Sequence, residues 1–260
     1  MLKKHIKKFL KNKIKSIYEN HIGSFYFKQK GYCPCCEQEV NFVAHNSWLR
    51  DNFKCPNCGS IPRERALMLI IEKHYPNWKD LKIHESSPGN KGHSMKLKKN
   101  CNNYIASHFF SNEKLGNIVN DFRNEDLEHQ TFKNEEFDLV VTSDVMEHIY
   151  EPDKAFKEIN RTLKKGGAHI FSVPLINKHK KTEVWATKGD NGEPVFLKEP
   201  EWHGNPIDKK GSPVTMHWGY DIVNFIKKHT NADCTIEYLN DLNYGIRAEY
   251  IEIIVAKKND

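Results

Sequence analysis

Residues 136–174 constrain the fold most, because two apolar runs flank one helical pattern within this segment. The run FDLVV at 137–141 shows little polar alternation, which is typical of a strand covered on both faces. An amphipathic helix follows, and the glycines at the end of 164–167 predict its C-cap. A second apolar strand then ends at 171–174. This strand–helix–strand order predicts an α/β sheet that binds its ligands at the carboxyl ends of the strands.

The string FDLVVTSDVMEHI, with AFKEINRTLKKGG and FSVP after it, resembles the second half of a class I S-adenosylmethionine (SAM) methyltransferase. It is most similar to O-methyltransferases of bacterial surface-polysaccharide pathways, which make capsule and lipopolysaccharide. The resemblance spans residues 61–257. It implies an α/β fold with a Rossmann-like, seven-stranded class I methyltransferase sheet, and SAM as the cofactor. It also implies methyl transfer to an oxygen, a sugar hydroxyl or a phosphoryl-type group, of a small-molecule or carrier-linked glycan substrate.

Five of the seven cysteines lie between residues 33 and 58, and four of them form two C-x-x-C pairs. Eighteen residues separate the pairs, within the range of about 15–20 that is usual for a four-cysteine zinc site. In a reducing compartment such pairs favour metal ligation over disulfides. Four protein ligands leave no open position, so a structural zinc ribbon is expected over 31–60. Cys35 is an alternative to Cys36, although the spacing favours Cys36. Cys101 and Cys234 are isolated and are expected in the core. The predicted ligands are Cys33, Cys36, Cys55 and Cys58.

Residues 1–30 carry most of the net charge of +6 and have apolar residues at helical spacing, which predicts a basic amphipathic helix. One interpretation is contact with a membrane surface through 1–18. The favoured one is packing against its own domain or a second copy, since lysine is abundant throughout. The remaining chain is nearly neutral, which makes nucleic acid a less favoured partner. The sequence has no run of about 18 apolar residues and no apolar core of a signal peptide. We therefore expect a cytoplasmic location, or a peripheral one at the inner membrane face.

The first half of the predicted sheet resembles the SAM-binding half of a class I methyltransferase. A short strand at 81–85 opens the loop HESSPGNKG, which is similar to the first SAM motif but has Ser87 where the family has its first glycine. The next strand, at 104–107, leads to His108 where the family has a ribose-binding acid, and a neutral imidazole can still bond a hydroxyl. Asp126 resembles the adenine-binding acid, although a cap role fits its spacing equally well. The cofactor contacts that the resemblance implies are Glu85, Ser87, Gly89, His108, Asp126, Leu127, Ser143 and Asp144.

Residues 175–215 are polar and rich in Gly and Pro, which predicts a lid insertion after the fifth strand, over the carboxyl edge. Methylation of an oxygen requires removal of a proton, and histidine is the natural base near neutral pH. We expect His203 to be that base, with His148 second and His217 third. The expected aromatic walls are Trp202, Trp218 and Tyr220. Outside this insertion, the patterns predict helices at 61–75 and 220–229 and two closing strands, paired antiparallel, at 234–239 and 249–256.

Three other functions compete with this interpretation. A dehydrogenase shares this type of sheet, but the chain lacks a G-x-G-x-x-G sequence after the first strand, which argues against it. An RNA base methyltransferase with a zinc ribbon stays an alternative, although 143–146 read SDVM rather than an N-P-P-Y/F motif. A non-catalytic zinc-ribbon scaffold is the third, because Ser87 and His108 depart from the family pattern.

Overall fold

The computed structural model of the chain describes residues 26–259. The basic helix predicted in 1–30 falls mostly outside the described residues, and 27–30 belong to the first strand. In the described part the helices are α1 (Leu49–Asn52), α2 (Pro62–His74), α3 (Gly92–Asn100), α4 (Pro152–Thr162) and α5 (Ile222–Thr230). The strands are β1 (Phe27–Cys33), β2 (Gln38–Ala44), β3 (Phe53–Lys54), β4 (Lys82–Ser86), β5 (Asn103–His108), β6 (Ile118–Val119), β7 (Phe122–Asn124), β8 (Phe137–Ser143), β9 (Leu163–Ser172), β10 (Glu183–Val184), β11 (Ala186–Lys188), β12 (Pro194–Phe196), β13 (Trp202–His203), β14 (Ser212–Pro213), β15 (Met216–His217), β16 (Asp233–Glu237) and β17 (Ile253–Lys257).

The central sheet has eight strands in the order β16-β17-β9-β8-β4-β5-β7-β6. Strands β4, β5, β7, β8 and β9 run parallel, and β17 is antiparallel to both β9 and β16, as expected for the closing pair. The predicted count of seven strands was wrong, because β6 adds a short edge strand beside β7. Asn120 and Asp121 between them both have positive φ, which is the geometry of a tight two-residue hairpin turn.

The glycines after α4 are not its C-cap, so that prediction was wrong. The helix ends at Thr162, and β9 begins directly at Leu163 in extended conformation. The pairing of β8 with β9 shifts register within this stretch, and Gly166 there has a φ of +73°. A Cβ on Gly167 would lie 2.7 Å from the backbone oxygen of Asp138 on β8. The two glycines therefore allow an irregular, closely packed start of the strand rather than the end of the helix.

The two faces of the sheet bury separate apolar clusters. Helices α4 and α5 pack together and cover one face, with Phe156 and Ile159 against the sheet. Helix α2 covers the other face, where Leu67 and Ile71 are fully buried. This two-sided cover explains why the run at 137–141 in β8 shows little polar alternation.

The cysteine-containing segment is packed onto the sheet domain rather than tethered beside it. Strands β1, β2 and β3 form an antiparallel sheet, and Phe42 and Phe53 share the core cluster of Ile253. A Cβ on Gly31 would lie 2.2 Å from the backbone oxygen of Asn243, so only glycine permits this close approach. Among the described residues, no helix is both long and apolar enough to cross a membrane.

Candidate active site

Four cysteine sulfurs converge from two turns of the small sheet, the turn between β1 and β2 and the turn after β3. The Sγ atoms of Cys33 and Cys58 are 3.7 Å apart, and so are those of Cys36 and Cys55. All four lie within 4.8 Å of one another. Four thiolates about 2.3 Å from one zinc ion would be roughly 3.8 Å apart, so the geometry fits a tetrahedral ion. Cys35 is not among them, because its thiol points to the backbone oxygen of Glu64 at 3.7 Å and burial raises its pKa.

A fully buried arginine lies beside the four cysteines. The Arg65 guanidinium donates to the backbone oxygens of Ser60, Phe53 and Gly245, and it lies 4.5 Å from the ring centroid of Phe42. Zinc with four thiolates carries a net charge of −2, and a buried cation nearby offsets part of it. Arg65 is therefore a partner of the predicted metal site that cysteine spacing does not reveal.

The loop after β4 has the shape of a ligand-binding turn. Ser87 has a φ of +56°, so it occupies the left-handed region that glycine occupies most easily. Its amide donates to the backbone oxygen of Ser107, which joins the ends of β4 and β5. A Cβ on Gly89 would meet nothing closer than Ser94 Oγ at 3.9 Å, so the space beside this residue is open. The serine that departs from the family pattern thus still supports the glycine-like turn.

The Glu85 carboxylate holds this loop through hydrogen bonds. One carboxylate oxygen accepts from Ser94 Oγ at 2.5 Å, and the other accepts from the Tyr104 hydroxyl at 2.7 Å. Burial opposes a charged His93, yet the adjacent Glu85 carboxylate raises the pKa of its imidazole. Ser94 Oγ also accepts a hydrogen bond from the Gly89 amide at 3.1 Å. The structure therefore places Glu85 as an anchor of the loop, and direct contact with SAM stays a prediction.

The remaining predicted cofactor residues lie at the neighbouring strand ends. His108 ends β5, and burial lowers its pKa to about 4, so its imidazole is neutral near pH 7. Asp126 lies in a turn rather than a helix, and its Oδ1 accepts from the Glu128 amide at 2.9 Å. Leu127 is buried in the core. A cap-like role for Asp126 is therefore present, while the adenine contact stays a prediction.

Asp144 connects the end of β8 to the cysteine-containing segment. Its Oδ2 accepts from Arg50 Nη2 and lies 2.8 Å from Arg63 Nε, and its Oδ1 accepts from Ser172 Oγ. Burial opposes ionisation, but the two arginines lower the pKa of Asp144 to about 2. Ser143 Oγ lies 3.0 Å from Ser172 Oγ. Sequence reasoning missed Arg50 and Arg63, because nothing near either arginine in the chain points to a partner about 90 residues away.

The insertion folds into short antiparallel pairs that dock on the 3₁₀ turn Met146–His148 after β8. The Thr215 amide and hydroxyl both donate to the backbone oxygen of Glu147. His148 Nδ1 lies 2.8 Å from the backbone oxygen of Pro213. Pro213 and Thr215 thus join the insertion to the turn after β8, and a lid over this edge of the sheet stays a prediction.

The three candidate histidines come together at this docking point. The rings of His148 and His203 are 5.0 Å apart and nearly perpendicular. Glu201 bridges His203 and His217, with distances of 3.3 and 2.8 Å to their Nε2 atoms. Glu147 is almost fully buried, and its carboxylate lies 3.7 Å from His203 Nδ1. Sequence reasoning named the histidines but missed the two carboxylates as their partners.

The expected aromatic walls are only partly present. Trp218 is fully buried and donates its indole N–H to the backbone oxygen of Met146, so it is a core residue and not a wall. Trp202 is exposed on β13. Tyr220 lines a cavity of about 480 Å³ together with Tyr238 and Tyr250.

The comparisons with known proteins find similarity to methyltransferases over part of the chain. Residues 95–171 match the family model described as "Methyltransferase domain". The chain is 26% identical over 137 residues to the ubiquinone biosynthesis O-methyltransferase of Ruegeria sp. (strain TM1040), a match that covers 43% of this chain and 55% of that relative. The chain thus spans about half the length of this curated relative.

Two solved structures are similar to the chain at low identity. A SAM-dependent methyltransferase from Mesorhizobium loti has a TM-score of 0.49 and 13% identity, covering 74% of this chain and 98% of that one. The 1,6-didemethyltoxoflavin-N1-methyltransferase of Burkholderia thailandensis, with its substrate and S-adenosylhomocysteine bound, has a TM-score of 0.47 and 9% identity, covering 76% and 79%. The segment that matches the methyltransferase family model runs from within α3 to near the end of β9 and covers less than half of the chain.

Proposed function

We propose that the protein is a SAM-dependent methyltransferase that transfers a methyl group to an oxygen of a small or carrier-linked substrate. The observation that carries this proposal is the cluster of His148, His203 and His217 with Glu147 and Glu201 over the end of β8. Oxygen acceptors need a proton removed before or during transfer, and imidazole–carboxylate pairs are suited to that task. The family match supports the reaction class, and the O-methyltransferase relative favours oxygen as the acceptor atom.

Two groups of residues at the carboxyl edge of the sheet would have separate roles, one binding SAM and the other binding the acceptor. SAM, when bound, supplies an activated methyl group on a sulfonium. The loop held by Glu85 and Ser94 would hold its methionine end, and His108 would bond its ribose. The histidine cluster would orient the acceptor hydroxyl and remove its proton. The insertion would limit the access of water to this reaction space.

We further propose that the acceptor is a sugar of a capsule or another surface glycan. The cavity lined by Tyr220, Tyr238 and Tyr250 supports this choice, because tyrosine faces pack well against sugar rings. Glu252 also lines the cavity, and one of its buried oxygens has no hydrogen-bond partner among the described residues. Glu252 immediately precedes β17, whose first residue pairs with Ser172 at the end of β9. The cavity therefore opens at the same edge of the sheet as the predicted SAM loop.

The four converging cysteines support a structural zinc as the second cofactor. Four thiolates complete the coordination of a tetrahedral ion, so such an ion has no position free for a substrate. Its role would be to fix the segment that carries Arg50, which reaches the end of β8 through Asp144. The ribbon would thereby stabilise the active-site edge without touching the substrate.

The test is transfer of labelled methyl from SAM by the purified protein into a fractionated extract of the source cell. Label in the glycan or nucleotide-sugar pool is expected, whereas label confined to RNA would refute the sugar acceptor. His203→Ala should lose transfer while it retains binding of labelled SAM. His229→Ala, in the last turn of α5, is the matched control and should retain both methyl transfer and SAM binding. Failure of the wild-type protein to bind SAM at all would refute the enzymatic proposal.

A further inference from the structure

Glu147 is a buried carboxylate without a donor. The residue is 2% exposed, and neither of its carboxylate oxygens has a hydrogen-bond partner among the described residues. Its Oε1 lies 3.7 Å from His203 Nδ1 and 3.8 Å from His148 Nε2, which is too long for a hydrogen bond. A buried, ionised carboxylate in this state is strongly unfavourable unless a cation compensates it.

The hydrogen bonds on the far sides of both rings determine which nitrogens face Glu147. His148 Nδ1 lies 2.8 Å from the backbone oxygen of Pro213, and a carbonyl only accepts, so Nδ1 carries the hydrogen. In the neutral ring, the lone pair of Nε2 then points towards Glu147. His203 Nε2 lies 3.3 Å from Glu201 Oε1, so the same reasoning leaves the lone pair on its Nδ1. When both rings are neutral, three electron-pair donors therefore face one point with no hydrogen between them.

We propose that Glu147, His148 and His203 bind a divalent metal ion at this point. Their ligand atoms all lie within 4.8 Å of one another. An ion about 2.1 Å from each ligand would hold them roughly 3.0–3.4 Å apart, so the two distances from Glu147, 3.7 and 3.8 Å, would shorten by a few tenths of an ångström. Two imidazoles and one carboxylate are a donor set for first-row ions such as Mn²⁺, Fe²⁺, Co²⁺ or Zn²⁺ with open positions.

The surroundings of the three ligands are those of a metal centre. Ligating histidines commonly donate their other ring N–H to a carbonyl or a carboxylate, as His148 does to Pro213 and His203 does to Glu201. Glu147 and His148 come from the turn after β8, whereas His203 comes from the insertion. An ion bound here would clamp the insertion onto the sheet edge. His203 is one-third exposed, so the open positions face the solvent side where a substrate enters.

The role of this metal ion in catalysis rests on the proposed function, methyl transfer from SAM to an oxygen. The ion would bind two neighbouring oxygens of the acceptor, such as a vicinal diol of a sugar, and lower the pKa of the hydroxyl to be methylated. That hydroxyl gives its proton to the Glu201–His217 pair. The oxygen lone pair then forms the new bond to the methyl carbon, the carbon–sulfur bond of SAM breaks, and S-adenosylhomocysteine leaves as a neutral thioether. His203 and His148 thereby act as ligands, and His217 is the histidine left to accept the proton.

The test is a titration of the full-length protein with Mn²⁺ and, on separate samples, with Co²⁺. Mn²⁺ binding is followed by loss of the free-ion electron paramagnetic resonance signal, and Co²⁺ binding by visible absorption. We expect one Mn²⁺ per chain in the wild-type protein and at least a tenfold loss of affinity in Glu147→Gln and in His203→Ala. Circular dichroism of both variants checks that they fold.

The partly exposed group of Asp126, Glu128 and His129 offers matched controls, because its side-chain ligand atoms also lie within 4.8 Å of one another. Glu128→Gln and His129→Ala should bind Mn²⁺ as the wild type does. If neither ion binds outside the cysteine site, or if Glu147→Gln keeps its ion, the metal site is refuted. Methyl transfer by protein that binds no Mn²⁺ or Co²⁺ there would refute the metal site but leave the enzyme. An intact metal site without SAM binding would refute the enzyme instead.

Discussion

His169 provides a direct test of how burial controls the acid stability of this fold. It lies on β9, is 2% exposed and stacks on Phe171 with ring centroids 4.2 Å apart. Its Nε2 lies 3.0 Å from Thr142 Oγ1 on β8, and its Nδ1 has no hydrogen-bond partner in the described part of the chain. Burial, with a smaller effect of His84, lowers the pKa of His169 from 6.5 to about 3.

The magnitude follows from proton linkage. Between pH 6.5 and 3 the unfolded chain binds a proton at this histidine and the folded chain does not, so the free energy of unfolding falls as the pH falls. From pH 7 to pH 5 the loss is about 2 kcal/mol at His169 alone. This value depends little on the folded pKa, provided that it stays below about 4.5.

The assay is urea unfolding at several pH values between 5 and 7. His169→Phe should lose about 2 kcal/mol less than the wild type over this range, whatever its stability at pH 7. Thr142→Val is the matched control, because it removes the same hydrogen bond but keeps the titrating ring, and its pH dependence should equal that of the wild type. Parallel curves for His169→Phe and the wild type would refute the reasoning.

Three further predictions concern the metal, the sheet and the SAM loop. Cys58→Ser should release one zinc per chain in a chelator-dye assay and lower the melting temperature, whereas Cys35→Ser should keep the ion. Gly167→Ala should lower the free energy of unfolding by about 1–3 kcal/mol, because its Cβ would meet Asp138 at 2.7 Å; wild-type stability would contradict the close packing. Ser94→Ala should weaken SAM binding by roughly five- to tenfold in calorimetry, since it removes the bridge between Glu85 and the loop; unchanged affinity would contradict that role.

Local patterns were enough to predict the main elements. The helix expected at 61–75 is α2, Pro62–His74, and the apolar run at 137–141 lies within β8. These predictions succeed because a strand buried on both faces and a helix with one apolar side must carry their signature in neighbouring residues. The cysteine quartet was predictable for a similar reason, since each C-x-x-C turn brings two thiolates together locally.

The prediction failed where the outcome depended on distant packing. Trp218 looked like a pocket wall, but it is buried because α4 and α5 pack around it. The glycines at 166–167 looked like a helix cap. Gly167 instead lies so close to the backbone of Asp138 on β8 that a side chain would not fit there. The edge strand β6 depends on a hairpin turn at Asn120 and Asp121, residue types that tolerate positive φ angles but also occur in other turns, so the pairing with β7 was not predicted.

The sequence by itself determined the order of the main strands and helices, the two C-x-x-C pairs whose sulfurs cluster, and the three histidines of interest. Only the tertiary structure decided what surrounds them: the arginines on Asp144, the buried carboxylate of Glu147 and the bridge through Glu201. The physical reason is that the energy of a buried charge depends on every group around it, and those groups come from segments far apart in the chain. The sequence states which residue stands at each position, whereas its contacts form only when the chain folds.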